Sequence, residues 1–243
     1  MTEREIKKIK QKVSMLIWYH TIDLGNGIVT PGIYDHRRYL KFYGIPDDLS
    51  GKPALDIGAA SGYFSFEMEK KGAKVTATDL ANWMDHDFGA LYKPDRPLDV
   101  LQGYLQKPFE LAKEVLNSGV KKKKINIYDV SPDTLGTFDL VFCSSLLLHL
   151  TDPIRALQNI RSVTREMAII ATGIRRDENK EPLASFSGHK EGAAWWLPNR
   201  PCLESMIQST GFKHWEWFSE FRLDYRDGRA GTHHGVIHAY NSP

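Results

Sequence analysis

Apolar positions recur at helical spacing near the start of the chain. From residue 53 the pattern changes to short apolar runs separated by amphipathic stretches. Over residues 3–17, Ile6, Ile9, Val13, Leu16 and Ile17 mark one face of a helix, and 34–43 reads as a second helix ended by Gly44 and Pro46. Between them lie Trp18-Tyr19-His20, the turn Asp23-Leu24-Gly25-Asn26-Gly27 and Thr30-Pro31-Gly32, a loop too rich in aromatics to be a mere linker. Strands are expected at 53–57, 73–78, 124–130, 138–143 and 167–172. Helices are expected at 63–71, 98–116, 152–163 and 203–209, the third with Pro153 in its first turn. Two closing antiparallel strands follow at 214–223 and 234–240. There is no internal repeat.

Strands alternating with helices predict an α/β fold with a mostly parallel sheet covered on both faces. The expected organisation is an N-terminal helical cap over 1–50 and a ligand-binding α/β domain over 51–243, carrying an insertion at 80–119. In such sheets ligands bind beyond the carboxyl ends of the strands, where the strand order reverses.

Composition narrows the class without naming it. With 243 residues, 42% of them hydrophobic, the chain suits one large domain rather than two separate cores. Lys and Arg total 32 against 30 acids, so the net charge of +2 argues for no polyanionic partner. Cys143 and Cys202 stand far apart and read as reduced thiols. No apolar run is long enough to span a bilayer, and the charged first twelve residues lack the apolar stretch of a signal peptide, so a cytoplasmic protein without membrane contact is expected.

The chemistry gathers at strand ends. Asp56-Ile57-Gly58-Ala59-Ala60-Ser61-Gly62 joins the first strand to its helix. Gly58 lets the backbone approach a ligand, Gly62 opens the helix whose free N–H groups face the pocket, and Asp56 offers a carboxylate to an ammonium or a water. A dinucleotide site would carry a third glycine where Tyr63-Phe64 stand here. Asp79 ends the second strand, about twenty residues on, where an acid accepts hydrogen bonds from ribose hydroxyls. Asp129 is placed at the end of the third strand, ready for the exocyclic amine of an adenine. A single such aspartate reads as a turn or helix cap; three beside a glycine turn read as a nucleoside pocket.

Leu55 to Gly62, Asp79 and Phe138-Asp139-Leu140-Val141-Phe142 together resemble a class I S-adenosylmethionine-dependent methyltransferase. Trp18-Tyr19-His20, Gly27 to Gly32, Phe64-Ser65-Phe66-Glu67 and Leu146 to Pro153 are similar, more narrowly, to the branch that holds the tRNA wobble-uridine carboxymethyl- and methyltransferases. The resemblance covers nearly the whole chain. It implies a Rossmann-like fold, S-adenosylmethionine as cofactor, and donor contacts from Asp56, Gly58, Ala59, Gly62, Asp79, Leu80, Asp129, Val130 and Ser144. It does not name the acceptor. Where the tRNA carboxymethyltransferases have a tyrosine before the histidine of the fourth-strand motif, this chain has Leu148, which tells against a carboxylated donor. It also has no counterpart of their long N-terminal extension. Lys121 to Lys124 reads as a solvated edge rather than an RNA contact.

Methyl transfer requires alignment, exclusion of water and a base for a hydroxyl or amine acceptor, and no metal. Candidates for that base or for acceptor binding are His20, in the aromatic loop, and His149, beyond the fourth strand, followed by His36 and His189. Trp18, Tyr19, Trp83, Trp195 and Trp196 are expected around the pocket, as a cation–π wall or a stacking surface; Trp215 and Trp217 alternate along a strand and read as sheet packing. His233 and His234 fall in an expected loop and receive no role. The leading reading is methylation of an O or N nucleophile on a small molecule. A tRNA-modifying enzyme is the alternative, and a lyase or cyclase releasing methylthioadenosine ranks below both.

Overall fold

The computed structural model describes residues 1–90, 92–188 and 194–241. Seven strands form one sheet. β1 (Pro53–Ile57), β2 (Lys74–Asp79), β3 (Lys121–Lys124), β4 (Phe138–Ser144) and β5 (Thr164–Gly173) run parallel, followed by β8 (His214–Leu223) and β9 (Thr232–Tyr240). Their order across the sheet is β3-β2-β1-β4-β5-β9-β8, and β9 is antiparallel to both of its neighbours. Strand order therefore reverses between β1 and β4. The reversed direction of β9 brings its first residues, His234 and Gly235, alongside Gly173 and Thr172 at the carboxyl end of β5.

Helices α3 (Tyr63–Lys70), α4 (Leu98–Leu116), α6 (Pro153–Val163) and α7 (Arg200–Ser209) cover the sheet; α5 (Pro132–Leu135) is a single turn, as is α2 (Leu40–Tyr43). The α4 bounds are those its sequence pattern predicts. Asp152 caps α6 by accepting from Arg155 N, and Asn199 caps α7 by accepting from Cys202 N.

Three expectations are corrected. The third strand lies at Lys121–Lys124, not at 124–130. Asn126 accepts from Tyr128 N and turns the chain into a 3-10 turn, Ile127–Asp129, so the apolar residues beyond the lysines leave the sheet. An edge strand of lysines is a common guard against pairing with another chain. The second expected helix is split into a 3-10 turn, His36–Arg38, and the short α2. A small antiparallel pair, β6 (Ala184–Phe186) with β7 (Trp196–Pro198), was not foreseen, because three-residue strands carry too little pattern.

The N-terminal segment begins with α1 (Glu3–Ser14), closed by a capping box between Thr2 and Glu5. It then lies across the sheet's carboxyl end. Val13, Trp18, Ile22, Leu24 and Ile28 are buried in the same cluster as Phe64, Phe66 and Phe142, so this segment shares the core of the α/β layers. Tyr19 N donates to Ser61 Oγ at 3.0 Å, pinning the segment to the glycine turn. No helix among the described residues is long and apolar enough to cross a membrane.

Candidate active site

At the carboxyl ends of β1, β2 and β4 lies a cavity of about 350 Å³. It continues past Gly58 and Asp79 into a side chamber of about 50 Å³ lined by Leu80, Asn126 and Ile127. Gly58, in the turn after β1, lines both. Gly58 (φ +74°) allows the tight reversal, and a Cβ there would come within 3.3 Å of Leu146. Its N–H and that of Ala59 both donate to Thr78 O at 3.0 Å, which ties the turn to β2. Ala60 follows at φ +45°, a left-handed conformation unusual for alanine, and Asp79 holds it there by accepting from Ala60 N at 3.0 Å and from Leu80 N at 2.9 Å.

The cavity's carboxylates are shifted by burial. Asp56 is buried, accepts from Ser65 Oγ at 2.5 Å, and has its pKa pushed up to about 7, desolvation being the main cause and the Asp79 charge adding to it. Asp79 is raised for the same first reason; Lys122 opposes it by charge. Two partly desolvated acids facing one cavity suit a cationic ligand.

Of the other residues expected to hold the donor, Leu80 lines the side chamber and Ser144 the main cavity. Ala59 is buried under the turn. Gly62 (φ +92°) is a packing glycine: an added Cβ would sit 2.7 Å from the ring of Phe109, and its own N–H donates to Ala59 O. Asp129 and Val130 do not reach either chamber. Asp129 is exposed at the end of the 3-10 turn and Val130 is buried in the core, because the chain leaves the sheet at Asn126. Asn126 and Ile127 stand where Asp129 was expected. An Asx-type turn signal at Asn126 was the clue available in the sequence.

The far side of the cavity is imidazole, hydroxyl and aromatic surface. Tyr19, His20 and His36 come from the N-terminal segment and Tyr104 from α4. His20 is buried, and its Nδ1 accepts from Tyr63 N at the start of α3 at 3.4 Å, so the nitrogen left for the cavity carries a proton. Burial pushes its pKa down to about 3. That arrangement tells against the base role expected of His20. His36 bonds Tyr43 OH through Nδ1 at 3.0 Å, while its buried Nε2 has no partner among the described residues. His149 lines both chambers. His189 lies outside the described residues.

Among the tryptophans only Trp83 lines the cavity, with its Nε1 donating to Tyr92 OH at 2.8 Å and its ring beside His86 and Phe88. Trp18 is a core residue whose Nε1 donates to Val13 O at 3.0 Å. Trp195 and Trp196 are clamps: their indole N–H groups reach Asp87 O at 2.6 Å and Thr151 O at 3.4 Å, holding the small β6–β7 pair onto the cavity rim. Asp87, in the insertion, knots the rim together by accepting from Tyr128 OH, Thr151 N and Thr151 Oγ1 at 2.5–2.7 Å. Leu148 faces a small apolar gap with Trp196 and Leu203 rather than the cavity.

Ser145 and His234 were also missed. Ser145 lines the cavity at φ +54° and its hydroxyl lies 3.0 Å from His234 Nε2. His234 lies in β9, which starts two residues before the expected 234–240, and reaches the site because that strand runs against the others.

Known proteins agree with this architecture. A family model described as a methyltransferase domain matches residues 34–218. A tRNA U34 carboxymethyltransferase from Campylobacter hominis is 28% identical over 185 residues, 75% of this chain and 58% of that protein. A ubiquinone biosynthesis O-methyltransferase from Vibrio parahaemolyticus is 27% identical over 122 residues, 49% of this chain and 42% of that one. The chain thus spans little more than half, or less, of these curated relatives. Among solved structures, the N-terminal domain of EvdMO1, determined with SAH and D-fucose, superposes with a TM-score of 0.64 at 18% identity, over 99% of this chain and 97% of that one. The match to three quarters of the sequence, on a sheet whose order reverses at the glycine turn, settles the matter: this chain belongs to the class I S-adenosylmethionine-dependent methyltransferases.

Proposed function

We propose that the protein transfers a methyl group to an oxygen or nitrogen nucleophile of an uncharged small molecule. The observation that carries this reading is the cavity lining: among the described residues it contains no lysine or arginine, while it presents Tyr19, His20, His36, Trp83, Tyr104, Ser144 and Ser145. A polynucleotide is held chiefly through its phosphates, and an anionic group gains most from a Lys or Arg partner. Among the described residues this lining offers neither.

The residues fit the donor. A Cβ on Gly58 would intrude beside Leu146, Asp79 stands between the two chambers with acceptor capacity left for ribose hydroxyls, and Asp56 faces the cavity with a carboxyl poised near neutrality. Leu80, Asn126 and Ile127 bound the chamber that suits a flat base. When bound, S-adenosylmethionine supplies a methyl group activated on a sulfonium whose leaving group is a neutral thioether. The chain's own task is to orient the acceptor, exclude water with the aromatic wall and take a proton from the nucleophile.

The test is product analysis. The purified protein is incubated with S-adenosylmethionine alone and then with phenol, catechol, sugar and amine panels. S-adenosylhomocysteine formed only with an acceptor is expected. Methylthioadenosine formed without one would replace this reading by a lyase. The tRNA reading, favoured by the Campylobacter relative, predicts salt-sensitive retention of tRNA on a filter, and none is expected.

A further inference from the structure

We infer that Ser145 is the residue that receives the acceptor's hydroxyl, and that His234 behind it takes the proton, so that the nucleophile is an oxygen. This inference rests on the methyl-transfer reading and assigns its base.

The hydrogen bonds dictate the direction of the pair. His234 Nδ1 lies 3.0 Å from Thr232 O, and a carbonyl can only accept, so Nδ1 carries the imidazole proton. Nε2 is then a lone pair, and at 3.0 Å the Ser145 hydroxyl donates to it. With its own hydrogen committed to His234, Ser145 Oγ turns lone pairs toward the cavity it lines. One of them faces Ser144 Oγ at 3.4 Å, and the Tyr19 phenol also bonds Ser145, so an incoming O–H takes the place that the phenol holds in the free site.

The pair is held rigidly. Ser145 N donates to Ala171 O at 2.8 Å, extending the β4–β5 ladder by one residue. That residue has a left-handed φ of +54°. Among the described residues, four that are not glycine adopt positive φ. Two are asparagines, Asn26 and Asn117, for which it is ordinary, and the other two, Ala60 and Ser145, both line the cavity. Strain retained at these two positions marks geometry that the site requires. His234 is buried, stacked on Phe221 at 5.6 Å, and set in register between Gly173 of β5 and Phe221 of β8. The titratable groups that bear on it are imidazoles: His149 from the turn after β4, His36 from the N-terminal segment and His233 from its own strand. Burial lowers its pKa to about 4, so it is neutral and able to accept at physiological pH.

The step balances. A lone pair of the acceptor oxygen forms the new O–C bond, and the electrons of the broken C–S bond remain on sulfur as a thioether. The acceptor proton passes to Ser145 Oγ, and the original Ser145 proton passes to His234 Nε2. The positive charge lost from the sulfonium reappears on the imidazolium, which releases its proton to solvent.

Histidine-labelled full-length protein provides a test independent of turnover. Long-range 1H–15N spectra should show His234 as the neutral Nδ1–H tautomer from about pH 5 to 9, with Ser145→Ala shifting the Nε2 resonance and leaving the tautomer unchanged. An Nε2–H tautomer, or an Nε2 resonance indifferent to that substitution, overturns the inference. In kinetics with a hydroxyl acceptor from the panels, Ser145→Ala and His234→Gln should each lower kcat about a hundredfold, with donor affinity held within about twofold. Gln can still accept from the Ser145 hydroxyl but cannot take a proton, so His234→Gln at full kcat, with the acid limb of the pH profile intact, reduces His234 to packing and overturns the inference. Turnover confined to amines does the same while sparing methyl transfer. No turnover with any acceptor overturns the methyl-transfer reading itself, and the spectra still report separately on the pair.

Discussion

The two sides of the cavity are built in different ways. The donor side comes from short stretches at the ends of adjacent parallel strands: the turn after β1, Asp79 at the end of β2, and Asn126 just beyond β3. The acceptor side draws Tyr19, His20 and His36 from before the first strand, Trp83 from the insertion, Tyr104 from α4, Ser145 from after β4, and His234 from the last strand. The first is held by backbone hydrogen bonds from the turn to β2 and by the Asp79 carboxylate beside it. The second is held by side chains particular to this chain, such as Asp87 and Trp195. A donor common to a family suits the first construction, and an acceptor that varies suits the second.

The comparison can be broken most forcefully at Asp79. Asp79→Ala should weaken S-adenosylmethionine binding about a hundredfold, because charged hydrogen bonds to a ligand contribute about 1.5–3 kcal/mol each; calorimetry that finds unchanged affinity would remove Asp79 from the donor side. A smaller effect is expected of pH. Asp56 is raised to about 7 in the free fold, so below that it is protonated, and a cationic ligand drives the proton off. Affinity should therefore rise by up to about tenfold between roughly pH 6 and 8, with a binding enthalpy that depends on buffer ionisation, and Asp56→Asn should flatten the rise. The sign for stability is opposite. An acid whose folded pKa is raised contributes stability that is full below its unfolded value of 3.8 and lost as pH rises through about 7, so the ligand-free protein should melt lower at the alkaline end.

On the acceptor side, Asp87→Ala removes the carboxylate that joins the insertion to Tyr128 and Thr151. It should loosen the rim by about 1 kcal/mol, seen as faster hydrogen exchange over the insertion, while donor affinity changes by less than about threefold. An equal loss of donor affinity would mean that the two sides are one cooperative unit. The smallest effect is expected of a triple Lys121→Ala, Lys123→Ala, Lys124→Ala substitution. These side chains are exposed on the edge strand, and stability should move by less than about 0.5 kcal/mol. Lys122 is left in place because it turns inward, donating to Leu105 O at 2.7 Å and lying over the Phe109 ring.

How far the sequence could be read depended on the range of the contacts. α4 and β8 matched the ranges read from their patterns, because hydrophobic periodicity and end signals are local. The third strand was misplaced because four lysines do not look like a strand and Ile125 to Val130 does; pairing with β2 at the sheet edge decided otherwise. Asp129 was misplaced with it. Trp18 and Trp195 were expected at the pocket, and packing and hydrogen bonding drew them elsewhere. His234 was overlooked because a histidine at the start of a last strand carries no local signal.

By itself the sequence determined an alternating α/β chain, a glycine turn without the third glycine of a dinucleotide site, and an acid at the end of the second strand. Each of these is a matter of residues within a few positions of one another. Only the tertiary structure decided which strand ends meet, that β9 runs backward to deliver His234 to Ser145, and that the cavity lining holds no lysine or arginine among the described residues. The physical reason is that propensity and period act along the chain, whereas a site is assembled by the burial of apolar surface between segments far apart in it.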